Sequence, residues 1–379
     1  MIEFAKTERQ REVLRAVEQH GSQRKAAKAL GMAQSTLHHH LDAVRKNAAL
    51  RGHSPAHDMT HTVPEGFGVK GVSTMYGPEG EIRAQWVKSH QQDVTLMIEA
   101  ACAAARSDIK PERAVKPPKT TQDGLLNLYV ITDYHIGMKA DEDETGGEDW
   151  DVQIAEDTLV KWFADAISRS PDAEVAILGQ LGDFLHYDSL TAVTPASGHV
   201  LDSDTRYQKM VRVAIRAIRR VVSMLLAKHQ RVHILMAEGN HDEAGSAWLR
   251  EMFDALYAEE PRVSVDTSLD PYYAYQHGKT ALFFHHGHKR KPQNIDTVFA
   301  AKFRQMFGST TQAYAHMGHY HHDRLIETNL MTVEQHRTLA SPDAYAVRGG
   351  WMSGRSANVI TYCDERGEVS RISVSPSAL

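Results

Sequence analysis

Three short apolar runs, each ending in polar residues, constrain most of what this chain can fold into. They are "LLNLYVITDYH" from Leu125, "EVAILGQLGDF" from Glu174 and "RVHILMAEGNHD" from Arg231. Amphipathic stretches with helical spacing follow them, near 154–169, 205–228 and 243–258. Strand, helix, strand, helix is the sign of an α/β fold, and in open sheets of that class ligands bind at the carboxyl ends of the strands. Asp133 and His135, then Asp183, then Asn240 and His241 all stand at that end. Further on, "LFFHHGHKRK" adds His286, and "HMGHYHH" adds His319 and His321.

Carboxylate oxygens mixed with imidazole nitrogens and an amide oxygen suit Mn²⁺, Fe or Zn²⁺ rather than a thiolate-bound structural zinc. Cysteine supports this reading, because the chain has only two, Cys102 and Cys363. The seven residues Asp133, His135, Asp183, Asn240, His286, His319 and His321 are too many for one ion. Two ions about 3.5–4 Å apart, sharing one carboxylate, would use them all.

In this order the motifs D-x-H, GD, GNHD, HG and GHxH resemble the calcineurin-like metallophosphoesterase superfamily, over about residues 125–325. The resemblance implies an α/β fold, a two-sheet αββα sandwich. Late strands near 280–285, 312–318, 357–363 and 368–374 are expected to build its second sheet. It also implies two divalent ions, Mn²⁺ first, with Fe or Zn²⁺ as alternatives. Asp133, His135 and His321 would hold one ion, Asn240, His286 and His319 the other, and Asp183 would bridge them. His241 would protonate the leaving oxygen, as an imidazole of near-neutral pKa can. His186, in "GDFLHYD", stands where the SbcD-like DNA repair nucleases carry a second active-site histidine. The "DRG" that follows "GD" in phosphoprotein phosphatases is missing. Strand periodicity puts His319 and His321 on one face with Tyr320 pointing away. By the same parity His316 and His322 are structural or supporting, with His322 the one placed to touch substrate.

Charge divides the chain. Residues 1–52 hold ten Lys/Arg against five acids, a balance of +5 within a total of -5. A basic head on an acidic body points to a polyanion as the head's partner. Its apolar residues recur at helical spacing, with breaks at Gly21 and Gly31, and the second glycine suits the turn between two steeply crossing helices. The pattern resembles the helix-turn-helix of Fis-like DNA-binding proteins. The recognition helix would run from about Gln34 to Lys46, with Leu37 and Leu41 inward and Gln34, Ser35, His38 and His39 toward the major groove. A three-helix interaction domain is the competing reading.

The expected organisation is a helix-turn-helix domain over 1–52 and a β-hairpin plus helix over 53–106. A linker over 107–123 and the metallophosphoesterase domain over 124–379 follow. The hairpin would turn at Gly77–Gly80, and its helix would span about 93–106. No run of residues has the length and apolarity of a membrane span or signal peptide, so a cytoplasmic protein with no membrane partner is expected. A homodimer is left open. The function expected is a DNA nuclease of the two-metal kind, targeted by its own head. A phosphatase or phosphodiesterase for a small nucleotide or phosphoprotein is the first alternative, and a DNA-binding regulator with an inactive phosphoesterase domain the second. Lys289, Arg290 and Lys291 could hold a nucleic-acid backbone, whereas the seven acids of 141–151 would repel one. The aperiodic segment 191–207 reads as a lid or contact.

Overall fold

The computed structural model describes residues 1–50, 53, 67–76, 82–91, 115–195 and 198–379. The chain divides into two compact units, Met1–Leu96 and Met97–Leu379.

In the first unit, α1 (Glu8–His20), α2 (Gln23–Ala29) and α3 (Gln34–Leu50) close on a small core of Val13, Ala16, Ala26, Ala27, Leu37 and Leu41. Thr7 starts α1 through a capping box with Gln10, and the Ser22 hydroxyl accepts from the Lys25 amide to start α2. Gly21 and Gly31 both take left-handed backbone, with φ of 66° and 62°. Any other residue at Gly31 would strain the turn between α2 and α3. Strands β1 (Phe67–Tyr76) and β2 (Ile82–Gln91) pair antiparallel. The expected turn at Gly77–Gly80 and the expected helix near 93–106 lie outside the described residues.

The second unit contains β3 (Gln122–Ile131), β4 (Ala173–Gln180), β5 (Arg231–Met236), β6 (Val263–Val265), β7 (Tyr273–His277), β8 (Thr280–His285), β9 (Gln312–Met317), β10 (Arg324–Glu327), β11 (Thr332–Gln335), β12 (Ala357–Cys363) and β13 (Gly367–Val374). They form a six-stranded sheet in the order β13-β12-β3-β4-β5-β6 and a five-stranded sheet in the order β10-β11-β9-β8-β7. Strands β3 to β6 run parallel, and the later residues of β3, β4 and β5 are buried, in keeping with their apolar runs and a sheet covered on both faces. On β3, Leu126, Leu128 and Val130 meet Leu282 and Phe284 of the second sheet. Tyr129 and Ile131 point the other way, into a core shared with the helices Val152–Arg169, Tyr207–Lys228 and Glu243–Tyr257. Helix Asp296–Lys302 covers the far face of the second sheet, with Phe299 against Phe283. The architecture is therefore the expected αββα sandwich. Among the described residues no helix is long and apolar enough to cross a membrane.

One expectation needs correction. The strands near 357–363 and 368–374 belong to the first sheet, not the second: β12 pairs antiparallel with β3, Val359 opposite Tyr129. Alternation along a strand tells which residues share a face but not which sheet receives it. Here Val359 faces the helices, while Ile360 and Tyr362 face the second sheet.

His229, just after helix Tyr207–Lys228, is fully buried beneath the first sheet. Its Nδ1 lies 2.7 Å from the Ala173 carbonyl, to which it donates, and its Nε2 lies 2.9 Å from the Tyr129 hydroxyl. Burial pulls its pKa down to about 4. The unfolded chain then takes up this proton near the ordinary histidine value and the folded chain only near 4. The contribution of His229 to stability is complete above the ordinary value and falls by about 1.4 kcal/mol per pH unit on acidification through the window between the two. Urea denaturation at successive pH values should show this loss, and His229→Gln should flatten the slope while lowering stability at neutral pH.

Candidate metal centre

Strands β3 and β4 are neighbours, so the loops that follow them emerge side by side. Backbone bonds stitch these loops together: the Asp133 amide donates to the Gly182 carbonyl and the His135 amide to the Asp183 carbonyl, both at 3.0 Å. Gly182 has φ of 102°, and a Cβ there would stand 2.5 Å from His286 Nδ1, so only glycine fits. Among the described residues the non-glycine positions with left-handed backbone are Asp133, His135, Asp183, His319 and His321, with φ between 48° and 75°. All five belong to the expected ligand set. Each such conformation costs about 1 kcal/mol or more, and strain of this kind concentrates at functional sites.

The side chains converge. His286 Nδ1 lies 2.8 Å from the Leu181 carbonyl, to which it donates, leaving Nε2 as the inward nitrogen. That Nε2 lies 3.1 Å from Asp183 Oδ2, 3.2 Å from Asn240 Oδ1 and 3.8 Å from Asp133 Oδ1. His321 Nε2 lies 3.2 Å from Asp133 Oδ1. The other carboxylate oxygen of Asp133 accepts from the His319 amide at 2.8 Å and from the Thr132 hydroxyl at 2.6 Å. Among the described residues five groups bring three potential ligand atoms within 4.8 Å of one another, and two of the five consist wholly of residues named from the motifs as ligands: Asp133, His135 and His321, and Asp183, His286 and His319. Asn240 lies beside the second of these, its Oδ1 3.2 Å from His286 Nε2.

His319 and His321 reach the site by a different route from the one their spacing suggests. Strand β9 ends at Met317, and both histidines sit on the following loop with φ of 75° and 57°. Strand parity therefore does not apply to them, and the loop's left-handed turns aim both rings inward. His316, still on β9, lies apart in a buried chain. Its Nδ1 is 2.9 Å from His336 Nε2, and its Nε2 is 2.9 Å from the Tyr362 hydroxyl. Glu334, next to His336, is neutralised by a two-point pair with Arg371. His322 is exposed at the cleft wall, its Nδ1 2.8 Å from the Tyr320 carbonyl.

The electrostatics suit cations. Burial pushes the Asp133 and Asp183 carboxyls up, but the surrounding imidazoles outweigh it and hold both well below the usual range. Burial pulls His286 down, and the two carboxylates reverse this, lifting it to about 10. His135 is held far below its ordinary value, first by burial and then by His241, so it is a neutral nitrogen donor. A divalent group fits these residues. Asp133 Oδ1 is buried and accepts no hydrogen bond from the protein, and imidazoles, a second carboxylate and an amide oxygen gather on its side of the site.

His186 and His241 lie on the His135 side. His135 and His186 approach to 3.4 Å through their Nδ1 atoms, and the rings of His135 and His241 are 4.8 Å apart. His241 Nδ1 is 2.8 Å from the His186 carbonyl, to which it donates. Burial takes His186 down to about 3, so it is a neutral ring.

Two carboxylates without a place in the expected set hold the loops. Asp242 accepts from the amides of Asp183, Phe184, Leu185 and Gly239 at 2.8–3.1 Å, binding the loop after β4 to the loop after β5. Asp188 accepts from the Ala244 and Gly245 amides, at the start of helix Glu243–Tyr257. "GNHD" contains Asp242 but only the fold reveals what it holds. Thr338 adds a further tie, its hydroxyl donating to the Asp133 carbonyl at 2.6 Å.

The centre opens into a cleft of about 870 Å³. Residues of the segment read as a lid, among them His199, Val200 and Leu201, form one wall, and residues of 338–355 another. None of the seven acids of 141–151 lines it. Glu144 and Glu148 are paired with Arg348 and Arg355, and Asp151 caps a helix. Lys289 is engaged by Glu238 and Glu243. In the first unit Gln34, Ser35, His38 and His39 are exposed on α3 and Leu37 and Leu41 buried. His38 lies 3.1 Å from Asp42.

No protein-family model matches the chain, and no curated protein matches it. Solved structures do. One is a predicted phosphoesterase from Streptococcus pneumoniae, at 9% identity, covering 66% of this chain and 98% of that one with a TM-score of 0.29. A second is an archaeal phosphodiesterase, at 11% identity, covering 65% of this chain and 99% of that one with a TM-score of 0.34. A third is Vps29 of Entamoeba histolytica complexed with Zn²⁺, at 11% identity, covering 66% of this chain and 99% of that one with a TM-score of 0.28.

Single substitutions separate these roles. Purified His319→Ala, His321→Ala and Asp183→Asn should each retain less Mn²⁺ or Zn²⁺ after dialysis, measured by elemental analysis, while His316→Ala should keep its metal. Asp242→Ala strands four buried amides and should lower the melting temperature, with a loss of about 3–5 kcal/mol.

Proposed function

We propose that this protein is a two-metal phosphodiesterase whose substrate is DNA, brought to its substrate by the N-terminal helices. The observation that carries the hydrolase reading is the pair of convergent triads, Asp133, His135, His321 and Asp183, His286, His319, on left-handed backbone at most of their positions. Strain maintained at the ligand positions themselves makes sense if those side chains have a task in the folded state. Asp183 would serve both sets, with Asn240 completing the second. Divalent ions held there would neutralise phosphate oxygens and provide a nucleophilic water at neutral pH; Mn²⁺ is favoured, with Fe or Zn²⁺ as alternatives.

The remaining work belongs to the protein. His241 lines the cleft with Nδ1 donating to the His186 carbonyl, which leaves Nε2 to give a proton to the departing oxygen. His186, neutral and against His135, positions that ring and supports His241 through its own backbone. This is the role in which the likeness to SbcD-like nucleases is retained. The complete ligand set favours an active enzyme over an inactive regulator.

For the head, the basic balance and the exposed Gln34, Ser35 and His39 on a helix that follows a glycine turn support DNA binding. The size of the cleft favours a second reading as well, a phosphodiesterase for a small nucleotide, because about 300–1,000 Å³ is typical of small-molecule sites.

Purified protein with Mn²⁺ should cleave single-stranded or duplex DNA in preference to a cyclic nucleotide or a generic phosphodiester. Turnover of the small substrates alone would sink the DNA reading. His241→Ala should keep its metal and lose cleavage by about 10²–10⁴-fold. Gln34→Ala combined with His39→Ala should weaken DNA binding in a gel-shift titration without slowing hydrolysis of the generic phosphodiester.

A further inference from the structure

Beyond the metal ligands, the cleft has an unusual rim. Large apolar side chains are exposed at scattered places over the described residues, yet Val200, Tyr320, Tyr345, Trp351 and Met352 all line this one cleft. Trp351 is 60% exposed and Tyr345 65% exposed, their rings 5.3 Å apart and inclined at 55°. Leaving two such rings in water beside a buried charged centre is unfavourable unless a ligand covers them.

The rings are also held in place. The indole of Trp351 lies so close over Gly349 that a Cβ there would stand 2.7 Å from it. Two residues on, the Ser353 hydroxyl donates to the His321 carbonyl at 2.6 Å, tying this segment to the loop that carries the metal-binding histidines. Arg355 Nη1 then pairs with Glu148 at 2.5 Å, and its guanidinium lies 5.4 Å from the Trp150 ring centre. On the other side Tyr320 packs against His319, ring centres 4.9 Å apart. The aromatic rim and the metal centre are thus fastened to the same backbone.

We propose that Tyr345 and Trp351 form a shelf on which an unstacked nucleobase rests while its phosphodiester lies in the metal centre. The site's substrate class is then a phosphodiester that bears a purine or pyrimidine, as in a single-stranded nucleic acid or a nucleotide. The proposal rests on the phosphodiesterase reading and narrows it. Base recognition by flat rings suits this cleft better than recognition by charge. Arg355, a cation of the lining, is occupied by Glu148, whereas every base has a π-face that an exposed ring can meet.

A binding arm and a kinetic arm test this separately. In the binding arm, with chelator present, 2-aminopurine is offered to the full-length protein as a nucleoside monophosphate and as a single-stranded hexamer, and its fluorescence is followed. Stacking should quench it. Trp351→Ala and Tyr345→Ala should each weaken binding by about tenfold, and Trp351→Phe should restore most of it. Quenching of both probes means the base alone suffices, and quenching of the hexamer only makes a single strand the source. In the kinetic arm, with Mn²⁺, thymidine 5′-(p-nitrophenyl) phosphate is compared with methyl p-nitrophenyl phosphate, which has the same leaving group and no base. The two alanine variants should raise KM for the first with kcat kept, and leave the second unchanged. Equal effects on both substrates, or quenching that persists in the Tyr345→Ala/Trp351→Ala double variant, would overturn the shelf. Failure of the wild type to hydrolyse either ester overturns the phosphodiesterase reading instead, and the chelated binding arm still reports on the shelf.

Discussion

Two buried carboxylates, Asp133 and Asp183, at the ends of adjacent parallel strands, set the terms for the rest of the second unit. Charges of that kind are costly away from water unless cations or donors face them. Imidazoles from Asp133's own loop and from two further loops gather there: His135 from the loop after β3, His286 from the loop after β8, and His319 and His321 from the loop after β9. Because these residues come from both sheets, the sandwich has to close before they can gather. The carboxylates, the left-handed loops and the packing of the two sheets on Leu128, Leu282 and Phe284 are one cooperative arrangement.

Around these residues runs a further layer of hydrogen bonds. Asp242 binds the backbone of two loops at once, Asp188 fixes the start of a helix, and Thr338 holds the Asp133 carbonyl. Burial and the charge of Asp183 push the Asp242 carboxyl up to about 6, while its amide donors act in the opposite sense. Such buried hydrogen-bond partners keep strained loops in one conformation, which a metal site of defined geometry requires.

Much of this was legible in the sequence. The apolar runs ending at Asp133, Asp183 and Asn240 are parallel strands covered on both faces, and the helices between them begin and end within a few residues of the expected places. Leu37 and Leu41 are inward on α3 and Gln34, Ser35, His38 and His39 outward, because helical spacing alone fixes that. Sheet membership was not legible. β12 alternates as well against one sheet as another, and its pairing with β3 is a contact between residues more than two hundred positions apart. Nor was the geometry of "HMGHYHH", where the strand stops at Met317 and the backbone turns left-handed at His319 and His321.

The sequence by itself determined which residue types stand at the strand ends, and so the chemistry that can gather there, since local apolar patterning fixes strands and the polar residues that end them. Only the tertiary structure decided which histidines gather. His316 and His319 are three residues apart, yet one sits in a hydrogen-bonded chain with His336 and Tyr362 and the other beside Asp183 and His286. The reason is physical: a side chain's direction beyond a strand's end depends on backbone dihedrals that are stable only when distant partners, here Asp133 accepting from the His319 amide, hold them. The same holds for the rim, where Trp351 and Tyr345 carry no signal in the chain and share a cleft with His135, Asp183 and His321 through a segment tied to the loop of His321.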